Sequence, residues 1–143
     1  MVPRDLYPLS SADPPFFVGI DLGGTNIKSG VVDNQGRILG YAHLKSEVER
    51  GPEAGAERMA EAAANAVKQA GMALSDVTHV GLVTPGTMDI QSGMLLEPPN
   101  LPGWDHFPIR DRVSQHTGLP VAYANDANAA AYGEFWVGSG AAY

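Results

Sequence analysis

Cysteine is absent, which excludes disulfides and any thiolate-bound metal within these residues and is compatible with a reducing, cytosolic setting. Cationic side chains are scarce: 9 Lys and Arg stand against 16 Asp and Glu, for a formal net charge of −7. Lys and Arg are scattered with no run of them anywhere, which argues against a basic face for nucleic acid or an anionic membrane. No apolar stretch approaches the roughly 20 residues of a membrane span, and the N-terminus lacks the basic-then-apolar order of a secretion signal. What remains is ample for one ordinary domain, since 143 residues with 44% hydrophobic content can build a core. A soluble cytoplasmic domain without nucleic-acid or membrane partners is the expectation.

Along the chain, residues 1–15 carry Pro3, Pro8, Pro14 and Pro15 among Ser10, Ser11 and Asp13 without periodicity. They are expected as a flexible arm, too short for a helix-turn-helix. From Phe16 the pattern predicts strands over 16–21, 27–33 and 37–45 joined by tight turns, an antiparallel meander. A helix is predicted from Pro52, with Gly51 as its cap, to Gln69 or Ala70, stopped by Gly71. On it Met59, Ala62, Ala63, Ala66, Val67 and Ala70 share one face whose small residues allow close packing on a sheet. A fourth strand over 79–83 leads into Thr84-Pro85-Gly86-Thr87-Met88-Asp89, and residues 91–107 read as an ordered loop centred on Pro98 to Trp104. A short helix over 108–116 ends at Gly118, a fifth strand covers 120–124, and a last helix covers 127–136.

Two segments carry the chemistry. In the first, Phe16 to Ile20 is a short apolar run suited to a buried strand, Asp21 is its first charge, and Gly23 and Gly24 follow at once. Glycine can turn tightly and bring backbone N–H groups close to a bulky anion, and Thr25 and Asn26 add short donors before the chain returns as a strand. The same residues make a good tight hairpin, and both readings stand on sequence alone. The segment is neither a Walker loop, which needs Gly-Lys-Ser/Thr, nor a dinucleotide fingerprint, which leads into a helix rather than a strand. In the second segment, Asn125-Asp126-Ala127-Asn128, a carboxylate again ends an apolar run, where it is either the N-cap of the following helix or a reactive group at a sheet edge. Two such carboxylates at strand ends point to phosphoryl transfer.

The order strand, strand, strand, helix, strand, helix, strand, helix resembles the ribonuclease H-like lobe of the actin, Hsp70 and sugar-kinase group, an α/β fold with a mixed five-stranded sheet and helices on its faces. Asp21-Leu22-Gly23-Gly24-Thr25 with Lys28 resembles the first phosphate motif of the ROK family, which joins bacterial glucokinases and related hexose kinases with sugar-responsive repressors. Pro85-Gly86-Thr87-Met88-Asp89, Pro99-Asn100-Leu101-Pro102-Gly103-Trp104, and Asn125-Asp126 through Glu134 resemble three further segments of that family, in the same order. The resemblance covers residues 16–140.

That resemblance implies ATP-dependent phosphorylation of a hexose 6-hydroxyl, with Asp126 as the general base. It assigns Asn125, Asn100 and Gly86 to the sugar, and Asp21, Gly23, Gly24, Thr25 and Lys28 to the ATP phosphates. Asp21 would hold Mg²⁺ through water. Lys28 is equally a solvated strand residue. Trp104 is expected to pin its loop into the core rather than stack on sugar. His43, His79, His106 and His116 show no metal-ligand spacing. Family members have two lobes, so the second phosphate loop, further sugar contacts and the cysteine-rich zinc segment of many members are expected beyond Tyr143. A homo-oligomer is expected for the full-length protein, and this lobe alone is expected to be inactive. The alternative is a non-catalytic sugar-sensing module related to the ROK repressors.

Overall fold

Apolar runs bounded by Asp, Gly and Asn become strands, and the alternation along them decides which face is buried. The computed structural model describes residues 5–125, Asn125 by its backbone alone. In β1 (Phe17–Leu22), Val18, Ile20 and Leu22 are buried while Gly19 and Asp21 are exposed. β2 (Asn26–Val32) returns antiparallel with Ile27 opposite Leu22, and β3 (Ile38–Lys45) continues the meander antiparallel to β2. After α1 (Pro52–Gln69), β4 (His79–Thr84) lies parallel to β1. A small hairpin of β5 (Met88–Asp89) and β6 (Met94–Leu95) follows, then α2 (Ile109–Thr117) and β7 (Val121–Asn125), which is parallel to β4. The sheet order is β3-β2-β1-β4-β7.

Both described helices pack on the same face. Val18, Ile20, Leu22, Ile27, Val31, Val80 and Leu82 meet Met59, Ala62, Ala63 and Val67 of α1 and Ile109 and Val113 of α2 in one cluster. Full burial of each large side chain contributes about 1.5–3 kcal/mol. The alanines let α1 sit close, and contact is tightest at Gly40, where a Cβ would overlap the carbonyl oxygen of Ala66. Gly51 caps α1 with φ 95°, Pro52 opens it, and Gly71 at φ 79° follows its end, as the sequence predicts. Gly118 at φ 74° stops α2 in the same way. The outer edge of β3 is covered from α1: the Tyr41 N–H donates to Gln69 Oε1, and Arg58 Nε donates to the Lys45 carbonyl at 2.7 Å.

Two expectations differ from the structure. The stretch over 91–107 holds β6 and a bridge between Leu95 and Phe107, strands too short for periodicity to reveal. Residues 5–15, expected as part of a loose arm, are instead tied to the turn between β2 and β3. Tyr7 N–H donates to the Ile38 carbonyl, Asn34 N–H to the Asp13 carbonyl, and Asp13 N–H to Asp33 Oδ2. Arg37 donates to Tyr7 Oη and Asp13 and lies 4.0 Å from the Tyr7 ring centroid. Asp33 is 1% exposed and accepts from the N–H groups of Asp13, Gln35 and Arg37 and from Arg37 Nε. Burial is the largest single influence on its carboxyl and pushes the pKa up, but these hydrogen bonds together outweigh it and hold the group below its ordinary value.

Candidate active site at the strand ends

β1, β4 and β7 are parallel and end at one edge of the sheet, where Asp21 lies opposite Val83, Val83 opposite Ala124, and Thr84 opposite Asn125. Strands are spaced about 4.8 Å apart, so Asp21 and the end of β7 are separated by roughly 10 Å. Asp21 is exposed and pairs across the other side with the exposed Lys28, on the face away from the helices.

The turn between β1 and β2 is closed by the Gly23 N–H, which donates to the Asn26 carbonyl at 2.9 Å. A side chain at Gly23 would put its Cβ 2.9 Å from that carbonyl oxygen, so the turn requires glycine there. Gly24 differs. It is exposed, and the nearest atom to a Cβ built on it is Asn100 Cβ at 3.8 Å, an ordinary contact. Among the described residues, no group accepts from the N–H of Gly24 or of Thr25. The turn is anchored from behind by fully buried Ser46, whose hydroxyl donates to the Gly23 carbonyl at 2.7 Å and whose N–H donates to the Thr25 carbonyl at 2.8 Å. With the Gly23 and Thr25 carbonyls held by Ser46, the turn leaves Gly24 and Thr25 exposed, with N–H and hydroxyl donors of the kind an anion takes.

The facing wall is the loop after β6. Gly86, at φ 87°, follows β4, and a Cβ there would lie 2.8 Å from both Pro98 Cα and Pro99 Cδ. Gly86 therefore lets the β4 turn nest against Pro98 and Pro99, and the side-chain direction it lacks points into that loop. Asn100, exposed and at φ 65°, comes against Gly24. Asp89 caps the hairpin beneath, accepting from the N–H groups of Gln91 and Ser92. Trp104 is completely buried, donates from Nε1 to the Val48 carbonyl at 3.0 Å, and meets Phe107 edge-on at 6.2 Å between ring centroids. It pins the loop and does not present a ring to a sugar.

The structure thus brings together Asp21, Gly23, Gly24, Thr25, Lys28 and Asn100, with Gly86 supporting the loop. Asp126 lies outside the described residues, immediately after the end of β7. Sequence reasoning missed Ser46, and also the buried pair of Thr84 Oγ1 and Tyr123 Oη at 2.6 Å beneath the edge. A lone serine or threonine ending a strand carries no pattern that marks it. His116 and His79 stand apart from this edge, with Nε2 of His116 3.0 Å from Glu53 and Nδ1 of His79 3.3 Å from the Thr78 hydroxyl, while His43 lies opposite Lys28 on β3. Among the described residues no group of three or more His, Cys, Asp or Glu could hold a metal ion.

Residues 17–143 match the model of the ROK family. The chain is 36% identical over 126 residues to a glucokinase from Thermotoga maritima, covering 86% of this chain and 37% of that protein. It is 31% identical over 121 residues to a xylose repressor from Caldicellulosiruptor bescii, covering 85% of this chain and 30% of that one. A crystal structure of a ROK hexokinase from Thermus thermophilus matches with a TM-score of 0.75 at 42% identity, over 86% of this chain and 39% of that one. A ROK family glucokinase from Streptomyces griseus, in complex with glucose and AMPPNP, matches with a TM-score of 0.74 at 39% identity, over 88% and 38%. The chain spans less than two fifths of the length of these kinases. Its mixed five-stranded sheet with helices is that of the actin/Hsp70-like ATPase fold of ROK sugar kinases. By its sequence over residues 17–143 and by its fold, this chain belongs to the ROK family.

Proposed function

We propose that these residues form the N-terminal lobe of an ATP-dependent kinase that phosphorylates the 6-hydroxyl of a hexose, with glucose the first substrate to test. The observation that carries this reading is the approach of Asn100 to Gly24 at the edge where β1, β4 and β7 end. It sets a group able to bind a polyol beside a turn able to bind phosphate, as transfer between the two requires.

The donor set fits ATP. Space at Gly24 that the fold leaves unused, backbone N–H groups at Gly24 and Thr25, and the exposed Thr25 and Lys28 side chains face a polyanion. Asp21 fits Mg²⁺, which binds through one or two carboxylates together with phosphate oxygens and waters rather than through a protein cage. When bound, ATP supplies the phosphoryl group and Mg²⁺ neutralises charge on the phosphates. Asn100 and Asn125 orient the sugar hydroxyls by hydrogen bonding, and Gly86 shapes the wall from which Asn100 projects. Asp126 takes the proton that the 6-hydroxyl oxygen loses as it attacks, since the free hydroxyl has a pKa far above 7.

The complete protein is further proposed to be a cytoplasmic homo-oligomer acting on small molecules, with no nucleic-acid partner. Any zinc would come from residues outside this chain. No described helix is long and apolar enough to cross a membrane. The second reading, a non-catalytic sugar sensor, is favoured by the likeness to a xylose repressor. One experiment separates the two. In the complete protein containing these residues, wild type should phosphorylate glucose with ATP, and Asp126→Asn should lower kcat by at least about 10²-fold with the protein still folded. Sugar binding without turnover in wild type would favour the sensor, and equal turnover in both would remove Asp126 from the mechanism.

A further inference from the structure

The two walls of the site come from distant parts of the chain, yet both are fastened to one short segment. Ser46, the residue after β3, holds the glycine turn by two hydrogen bonds, to the carbonyls of Gly23 and Thr25. Two residues on, the Val48 carbonyl accepts from Trp104 Nε1, and Trp104 belongs to the loop that carries Asn100. That carbonyl also accepts from the Gly51 N–H, which ties the segment to the start of α1.

The segment is locked on every side. Glu47 sits at φ 51°, ψ 50°, a left-handed conformation that only surrounding contacts can maintain in a residue with a side chain. Its carboxylate accepts from Arg50 at 2.8 Å and lies 3.6 Å from Arg58, while Arg58 also donates to the Lys45 carbonyl. The hydrogen bond from Arg50, then the charge of Arg58, keep the Glu47 carboxyl below its ordinary range. On the far side the Trp104 indole lies against Gly55 of α1, where a Cβ would overlap ring atoms Cη2 and Cζ2. The Trp104 N–H closes its own turn onto the Leu101 carbonyl at 3.2 Å, one residue from Asn100.

We infer that Ser46-Glu47-Val48 is a bracket that sets the spacing between the phosphate turn and the sugar loop, with Ser46 and Trp104 as positioning residues that act through Gly23 and Asn100. The inference rests on the kinase reading for its consequence in catalysis, but the mechanical link is a property of the protein without ligands. Loosening either end of the bracket loosens both walls. Ser46 therefore affects sugar binding although its hydrogen bonds go to the glycine turn, and Trp104 affects ATP binding although it belongs to the sugar loop.

The test uses Ser46→Ala and Trp104→Phe, each deleting one side-chain donor, in the complete protein. Amide hydrogen exchange is measured without ligand over residues 23–26 and 98–104. Each variant should speed exchange in both segments by about threefold or more, with the β1–β4 core unchanged. Acceleration only in the variant's own segment, in neither, or evenly across α1 and the sheet overturns the bracket. In steady-state kinetics, each variant should raise the KM for both ATP and hexose by about 3- to 10-fold, and their combined effect should depart from the product of the two. A change confined to the melting temperature, with both KM values intact, also overturns it. A wild type that does not phosphorylate hexose would instead defeat the kinase reading and leave the exchange result to decide the bracket.

Discussion

Two hairpins at opposite ends of the same sheet use similar residues for different ends. The β2–β3 turn has Asp33, Gly36 and Arg37, and the β1–β2 turn has Asp21, Gly23, Gly24 and Lys28. At the first, the aspartate is buried and saturated by hydrogen bonds, Gly36 occupies the left-handed region at φ 78°, and the cation is spent on Asp33, Asp13 and Tyr7. At the second, the aspartate and the lysine are exposed, and Gly24 meets no steric demand for glycine. An aspartate and glycines near a cation do not by themselves signal a ligand. The β2–β3 turn satisfies its polar groups internally, whereas the β1–β2 turn, proposed to bind phosphate, leaves the N–H groups of Gly24 and Thr25 without an acceptor among the described residues.

The contrast is tested first where its effect is largest. Asp33→Asn removes the charge that three N–H groups and Arg37 share, and should cost about 2–3 kcal/mol in urea unfolding. Nucleotide binding by the folded fraction should be unchanged, and a loss of ATP affinity would erase the distinction between the two turns. The same group gives a pH dependence of known sign. Its folded pKa lies below the unfolded value of about 4, so its stabilisation is fully present above that value and is lost as pH falls through the folded pKa. The difference in unfolding free energy between wild type and Asp33→Asn should be constant from pH 5 to 7 by assay, and should shrink below about pH 4. A difference that grew on acidification would contradict the account of Asp33.

Matched alanine substitutions sharpen the comparison. Gly36→Ala forces a side chain into a left-handed conformation and should cost about 1 kcal/mol, read as a lowered melting temperature with unchanged kinetics. Gly24→Ala should change stability least, within about 0.5 kcal/mol, because the added methyl finds room. That methyl would occupy the space proposed for phosphate, so the KM for ATP should rise several-fold while that for hexose holds. Equal changes in both KM values would make the turn merely structural.

The strands were legible because apolar runs stop at polar or turn residues such as Asp33, Asn125 and Thr84-Pro85-Gly86; β1 is shifted by one residue at both ends from its predicted bounds, and β4 runs one residue longer. Helix α1 was legible from Gly51-Pro52 and its alanine face. The anchoring of residues 5–15 was not, because Tyr7 and Asp13 find partners only after β2 and β3 bring Asp33 and Arg37 beneath them. At the candidate site, Asp21 and the glycines stood out through local pattern, and Trp104, expected to pin its loop into the core, is fully buried. The meeting of Asn100 with Gly24 depends on the bracket at Ser46–Val48, whose hydrogen bonds join residues with no periodic relation, so no local pattern reports it.

The outer rim of β3 has a consequence for life at high concentration. A strand at the border of a sheet offers unpaired backbone groups to any neighbouring molecule, and proteins that leave such a border bare tend to aggregate through it. Here α1 reaches over it, with the Gln69 amide on the Tyr41 N–H and the Arg58 guanidinium on the Lys45 carbonyl. One helix therefore seals the core with its alanine face and guards the border with its polar flank, so that an intruding β-segment would have to displace a charged side chain before forming its first rung.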